Sequence, residues 1–313
     1  MLNDYLNVLV LFLVVSLGIA LAKAKWLTDA SNTTLTKLLL NITLPATLVL
    51  SITSDFTHSE FIRLLPYVIL PTAVILTLMA LSYLLTKVIK VNPADRGLFI
   101  GLCSMSSTIF FGIPITLAVY GYHGLPYALL TYAAQTLIYW TLGLYLLDSK
   151  AIDTKSCKGL VKSIGKEIVN MPLIAFALGV GILFLGIKVP AVINTFLGYL
   201  SGMTSGLAML IVGTIIFISG IKNIKINRIL WVIVIFRFLV APALVLAFGW
   251  LFSIDREMVK ITILICSLPI PNTTVILAEK YKANLPLATG ALSFSIGIYL
   301  IFLPVILFAI HTI

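Results

Sequence analysis

The sequence predicts an all-α integral membrane protein of ten transmembrane helices, built as two inverted five-helix repeats. Three observations predict it. Of the 313 residues, 60% are hydrophobic and 10% are charged, against roughly 25% charged in a soluble domain. Apolar runs near the ~20 residues that span the hydrocarbon recur along nearly the whole chain. Landmarks also repeat: Asp95-Arg96 and Asp255-Arg256 precede the fourth and ninth runs, while Leu125-Pro126 and Leu285-Pro286 open the fifth and tenth. The interval from Asp95 to Pro126 equals that from Asp255 to Pro286. Two copies of five spans must point opposite ways, because five is odd. Inverted repeats carrying broken helices are a transporter architecture, with the substrate near the midplane.

In order, the runs are 5–22, 33–52, 64–89, 97–121, 126–147, 171–187, 190–218, 228–252, 257–280 and 285–310. The first is read as a retained helix rather than a signal peptide, since residues 1–7 hold no Lys or Arg and Asp4 is acidic. The first repeat is 1–147, a lysine-rich polar loop of 148–170 follows, and 171–313 is the second repeat. The formal charge of +10 reflects orientation, not affinity for nucleic acid. Of the 21 Lys and Arg, Arg63, Lys188, Arg256 and Lys260 lie in loops on one side and Arg237 lies within a span. All others lie in the alternate loops on the opposite side. By the positive-inside rule this puts 148–170 in the cytoplasm and both termini outside, in a multi-pass protein of the cell membrane.

Several classes drop out. Cys103, Cys157 and Cys266 have no C-x-x-C spacing, so neither a disulfide framework nor a zinc site is expected. His58, His123 and His311 are dispersed. No P-loop, H-E-x-x-H or G-x-S-x-G is present. No cofactor or metal is expected, and the chain does not read as an enzyme.

The informative stretches are the interrupted runs. The ninth carries Pro269-Ile-Pro271 followed by Asn272, Thr273 and Thr274; the fourth carries Ser104, Ser106, Ser107 and Thr108, then Gly112-Ile-Pro114. Proline removes a backbone donor and crowds the preceding turn. In hydrocarbon the freed groups must be met by protein or a water-filled cavity. The sequence places the fourth-run break near Gly112-Ile-Pro114, with Pro114 and Pro271 each opening a half-helix. A helix start offers unpaired amides and a positive dipole end, which suits an anion. Ser and Thr can equally bond helix to helix, and Pro can simply kink. Two breaks at matching repeat positions favour a site. Asn41 and Pro45 repeat the theme in the second run, where a kinked helix with one bonded amide is an equal reading. Gly202, Ser205 and Gly206 read as close helix packing.

Arg237 is the one ionisable side chain deep within a run. Its partners are either helix-end carbonyls at the break or the substrate's negative charge. No run holds a deep Asp or Glu for a proton relay. A fixed Arg can stand in for a coupling cation, which suits a uniporter or exchanger.

The ordered set Asn41-Ile-Thr-Leu-Pro45, Phe111-Gly-Ile-Pro114, Arg237 with Pro242, Pro271 through Ala278, and Tyr281 resembles the auxin efflux carrier family. That resemblance implies two crossing broken helices, 4 and 9, in a fold shared with bile-acid symporters. It implies a scaffold of helices 1, 2, 6 and 7 and a moving part of helices 3–5 and 8–10. It implies elevator-type transport of small organic anions, usually carboxylates, often by a homodimer in the lipid bilayer. The family pattern points to Asn41, Pro114, Pro271 and Asn272 as site positions. Pro45, Ser107, Gly112, Pro269 and Thr273 join them from the residue reading, with Arg237 as electrostatic support. The chain lacks the long central loop of the plant exporters. Other readings of the same sequence are a sodium- or proton-coupled symporter of this fold, or a non-transporting receptor or channel.

Overall fold

The structure is a computed structural model, described over residues 2–139, 142, 171–218, 226–280 and 283–313. Every regular element among the described residues is helical. Among the described residues six helices are long and apolar enough to cross a membrane: Leu6–Lys23, Asp29–Ser54, His58–Val88, Pro93–Tyr120, Ala191–Ile218 and Arg228–Leu251. Leu285–Tyr299 and Ile301–Thr312 make a seventh, bent by 58°. The bend has a cause: Pro304 lacks an amide, and its ring crowds the carbonyl four residues back, at position 300. Met171–Phe184 is apolar but shorter than these. The fifth run is helical over Leu125–Ile138. Its remainder beyond 142, the 148–170 loop with Cys157, and Tyr281 lie outside the described residues.

The ninth run is two helices, Arg256–Cys266 and Asn272–Lys280, joined by a buried non-helical stretch. The fourth run departs from expectation. Its helix Arg96–Ser104 ends at an extended Met105, the backbone is non-helical through 107, and winding resumes at Thr108, well ahead of Pro114. The break therefore lies at the serine cluster rather than at Gly112-Ile-Pro114. Short polar side chains offer the backbone competing bonds; here Ser104 Oγ donates to the Ile100 carbonyl at 2.7 Å.

Pro114 does not break its helix because the turn before it widens. A π-turn over Thr108–Gly112 leads into Ile113–Tyr120, in which Pro114 is the second residue. The same device precedes Pro45 (Leu39–Thr43) and Pro242 (Phe236–Val240). In both of these the residue before the proline bonds five positions back: the Leu44 amide donates to the Leu39 carbonyl, and Ala241 to Phe236. The wider turn moves aside the carbonyl that the ring would strike.

The chain forms two compact units. The first comprises Met1–Pro66, Ile109–Leu129 and Val169–Gly220. Its seam joins Leu2–Lys23 to Thr204–Ile218 through glycines. A Cβ on Gly18 would lie 2.6 Å from the Leu210 carbonyl oxygen, and one on Gly213 would overlap that of Val15. Such small residues let membrane helices approach backbone to backbone. A buried hydroxyl ladder runs alongside. Thr47 Oγ1 bonds Thr204 Oγ1 at 2.7 Å, Ser201 Oγ bonds the Tyr122 hydroxyl at 2.9 Å, and Ser51 Oγ donates to the Tyr122 carbonyl at 3.1 Å.

The second unit comprises Tyr67–Thr108, Leu130–Ile168 and Ile221–Ile313. Ile75, Met79, Ile100, Met105, Ile138, Tyr139 and Leu277 form one apolar cluster in it. Phe238 stacks on Tyr299 and Phe302, with ring centroids 5.9 and 5.5 Å away. Asn284 Nδ2 donates to Asp95 Oδ2 at 3.2 Å, tying the start of the last helix to the start of the broken fourth.

Candidate functional site

Within the second unit, the non-helical stretches 105–107 and 267–271 meet. The Ser107 amide donates to the Pro269 carbonyl at 2.9 Å. All of 105–107 and 267–271 is buried, so each backbone polar group there needs a partner inside the protein. One backbone bond is the maximum this register allows. In every regular bridge, parallel or antiparallel, the return bond would come from the amide of residue 269 or 271. Both are proline, so neither has one to give.

Side chains take several of the other groups. Gln135 binds Ser106 on both sides: its Oε1 accepts from the Ser106 amide at 2.9 Å and hydroxyl at 2.8 Å, and its Nε2 donates to the Ser106 carbonyl at 2.7 Å. The Ile270 amide donates to Ser295 Oγ at 3.1 Å. Arg237, in the π-turn before Pro242, directs Nε and Nη2 at the Leu268 carbonyl, 3.1 and 2.7 Å away. Arg237 is 1% exposed, and among the described residues no carboxylate is bonded to it. Of the two readings of Arg237, its contacts in the structure match the carbonyl one.

At the start of Asn272–Lys280 the Thr274 amide bonds back to the Pro271 carbonyl at 3.1 Å. The amides of Asn272 and Thr273, and their side chains, have no bond among the described residues. Asn272 is half-buried and Thr273 exposed. These two residues are donors left over at the crossing, as is the buried Ser267 hydroxyl, which bonds nothing among the described residues.

The sequence-nominated residues divide by unit. Ser107, Pro269, Pro271, Asn272, Thr273 and Arg237 share the second unit, where the structure brings them to one crossing. Asn41, Pro45, Gly112 and Pro114 belong to the first. There the Asn41 amide is spent locally, Nδ2 donating to the Lys37 carbonyl at 2.9 Å. Gln135 and Ser295 were not nominated. Their signal is present all the same, because each is a polar residue in an apolar run, at the same distance from Pro126 or Pro286.

Comparison with known proteins identifies the family. The model of a family described as "Membrane transport protein" matches residues 5–307. An uncharacterized transporter from Methanocaldococcus jannaschii is 26% identical over 265 residues, covering 82% of this chain and 83% of its own length. An uncharacterized transporter from Methanothermobacter thermautotrophicus is 25% identical over 301 residues, covering 96% and 95%. The chain therefore belongs to this membrane transport family, the auxin efflux carrier family that its motifs resemble, and is a multi-pass transporter rather than an enzyme.

Proposed function

We propose that this transporter is a secondary carrier of a small organic anion, a carboxylate, working by elevator-type alternating access in the cell membrane. The observation that carries the reading is Arg237: a buried guanidinium whose partner is a carbonyl and not a carboxylate. An unneutralised buried charge costs several kcal/mol, and an arriving anion offsets much of that cost. The donors left at Asn272 and Thr273 stand at a helix start, where amides and dipole favour negative charge. On this reading the carboxylate lies against Asn272 and Thr273 with Ser107, Pro269 and Pro271 shaping the floor. Arg237 supplies long-range attraction through the segment it holds.

The architecture belonging to this proposal has ten helices in two inverted repeats with both termini outside. Helices 1, 2, 6 and 7 are the scaffold, and two copies associate as a homodimer. The unit holding the crossing is the part that moves. A thermal-shift screen of purified protein against benzoate, succinate and indole-3-acetate tests the anion reading, since ligand binding raises apparent stability by mass action. Concentration-dependent stabilisation by one acid, absent with its amide, is the expected result. Equal stabilisation by acid and amide would place recognition in the apolar body instead.

A further inference from the structure

The two side chains that cap the crossing come from corresponding places. Gln135 follows Pro126, and Ser295 follows Pro286, by the same number of residues. Each meets a break amide that bonds no backbone carbonyl among the described residues: Ser106 for Gln135, Ile270 for Ser295. The prolines at 269 and 271 add no donor of their own, so the two stretches share a single backbone bond. The Gln135 carboxamide presents an acceptor and a donor together, as a neighbouring backbone strand would. Ser295 is itself fixed, its hydroxyl donating to the Leu292 carbonyl at 2.8 Å. Both residues are buried.

We propose that Gln135 and Ser295 are an equivalent pair of positioning residues, one from each half. Their side chains stand in for the backbone bonds that the broken helices cannot make. By bonding the Ser106 and Ile270 amides they hold both breaks open beside the free donors Asn272 and Thr273. Releasing Gln135 frees the Ser106 amide to rewind toward helix, while its carbonyl keeps the Thr108 amide at 2.9 Å, and the surface beside Ser107 is lost. The consequence for ligand affinity rests on the anion-carrier reading above; the clamp itself does not.

The discriminating variant is Gln135→Glu. A protonated carboxyl reproduces the carboxamide pattern, with one oxygen accepting from Ser106 and the hydroxyl donating to its carbonyl. The ionised form has no donor. Burial raises a carboxyl's pKa, so the variant should behave as wild type at low pH and lose the clamp as pH rises through that value. Hydrogen–deuterium exchange on peptides covering 101–112 and 264–276 is measured between about pH 5 and pH 8, corrected for intrinsic rates. Stabilisation by benzoate, succinate and indole-3-acetate is followed in parallel. Wild type should be flat in both. Gln135→Glu should match it at the acid end; at the alkaline end it should exchange at least tenfold faster over 105–108 and lose at least tenfold in acid affinity. Ser295→Ala should speed exchange at Ile270, and Ser295→Thr, which keeps the hydroxyl, should restore it. A Gln135→Glu protein identical to wild type at both ends, or a Ser295→Ala protein with Ile270 still protected, overturns the proposal. If no acid stabilises even wild type while exchange follows this pattern, the clamp stands and the anion reading fails.

Discussion

Arg237 holds the Leu268 carbonyl with two of its three guanidinium nitrogens, at 3.1 and 2.7 Å, inside the apolar second unit. Leu268 lies in the stretch that follows the first half of the broken ninth run. A carbonyl at such an end has no helical partner and carries the negative end of the dipole. The guanidinium therefore stabilises the broken backbone while leaving net positive charge beside it. Lysine lacks the planar two-donor fork. Arg237→Lys should fold, weaken acid binding about tenfold, and lower the melting temperature, as read by the same thermal-shift titration. Arg237→Met removes the charge altogether and should abolish acid-dependent stabilisation.

Asn272 tests the site without touching the clamp. Its amide and side chain have no bond among the described residues, so Asn272→Ala should leave the unliganded melting temperature within a degree or two. It should also remove the shift produced by acid. Retained binding in this variant would move the site elsewhere.

Pro242 is expected to behave opposite to a core residue. The π-turn over Phe236–Val240 exists because the proline follows it, and Arg237 sits in that turn. Pro242→Ala restores an amide and removes the clash, so the turn can tighten by one residue. A one-residue shift rotates a helical side chain by about 100°, carrying Arg237 off the Leu268 carbonyl. The protein should be as thermostable as wild type or more so, yet bind acid poorly. Unchanged binding would show that Arg237 reaches Leu268 without the wide turn.

Gly18 and Gly213 test the first unit alone. A side chain at Gly213 would overlap the Val15 carbonyl, so Gly213→Leu should destabilise by about 1–3 kcal/mol or more through overpacking. Gly206→Ala, where a Cβ meets nothing within 4 Å, should be silent. Detergent melting curves of the two variants make the comparison.

Much of this was legible in the sequence, and the failures have physical reasons. The broken ninth run followed from two prolines two residues apart, since no single wide turn absorbs both. The fourth-run break was misplaced because one proline was read as sufficient to break a membrane helix. The π-turn before Pro114 shows how the chain accommodates one. The same turn recurs before Pro45 and Pro242, so the spacing is a readable rule in hindsight. Arg237 stood out because it is the lone deep charge, but its partner is a carbonyl, which no side-chain pattern reveals. Gln135 carries little signal on its own, because one amide in an apolar run is an ordinary helix contact. Only aligning the halves on Pro126 and Pro286 pairs it with Ser295.

The central claim is that the crossing belongs to a carrier of organic anions, and flux through proteoliposomes measures it most directly. Vesicles are loaded with the acid that stabilises the protein best, and uptake of the labelled acid from outside is followed. The account predicts saturable uptake, accelerated by unlabelled acid inside, indifferent to sodium and lost in Asn272→Ala. Uptake that rises without saturation and shows no counterflow, as through a channel, would contradict it.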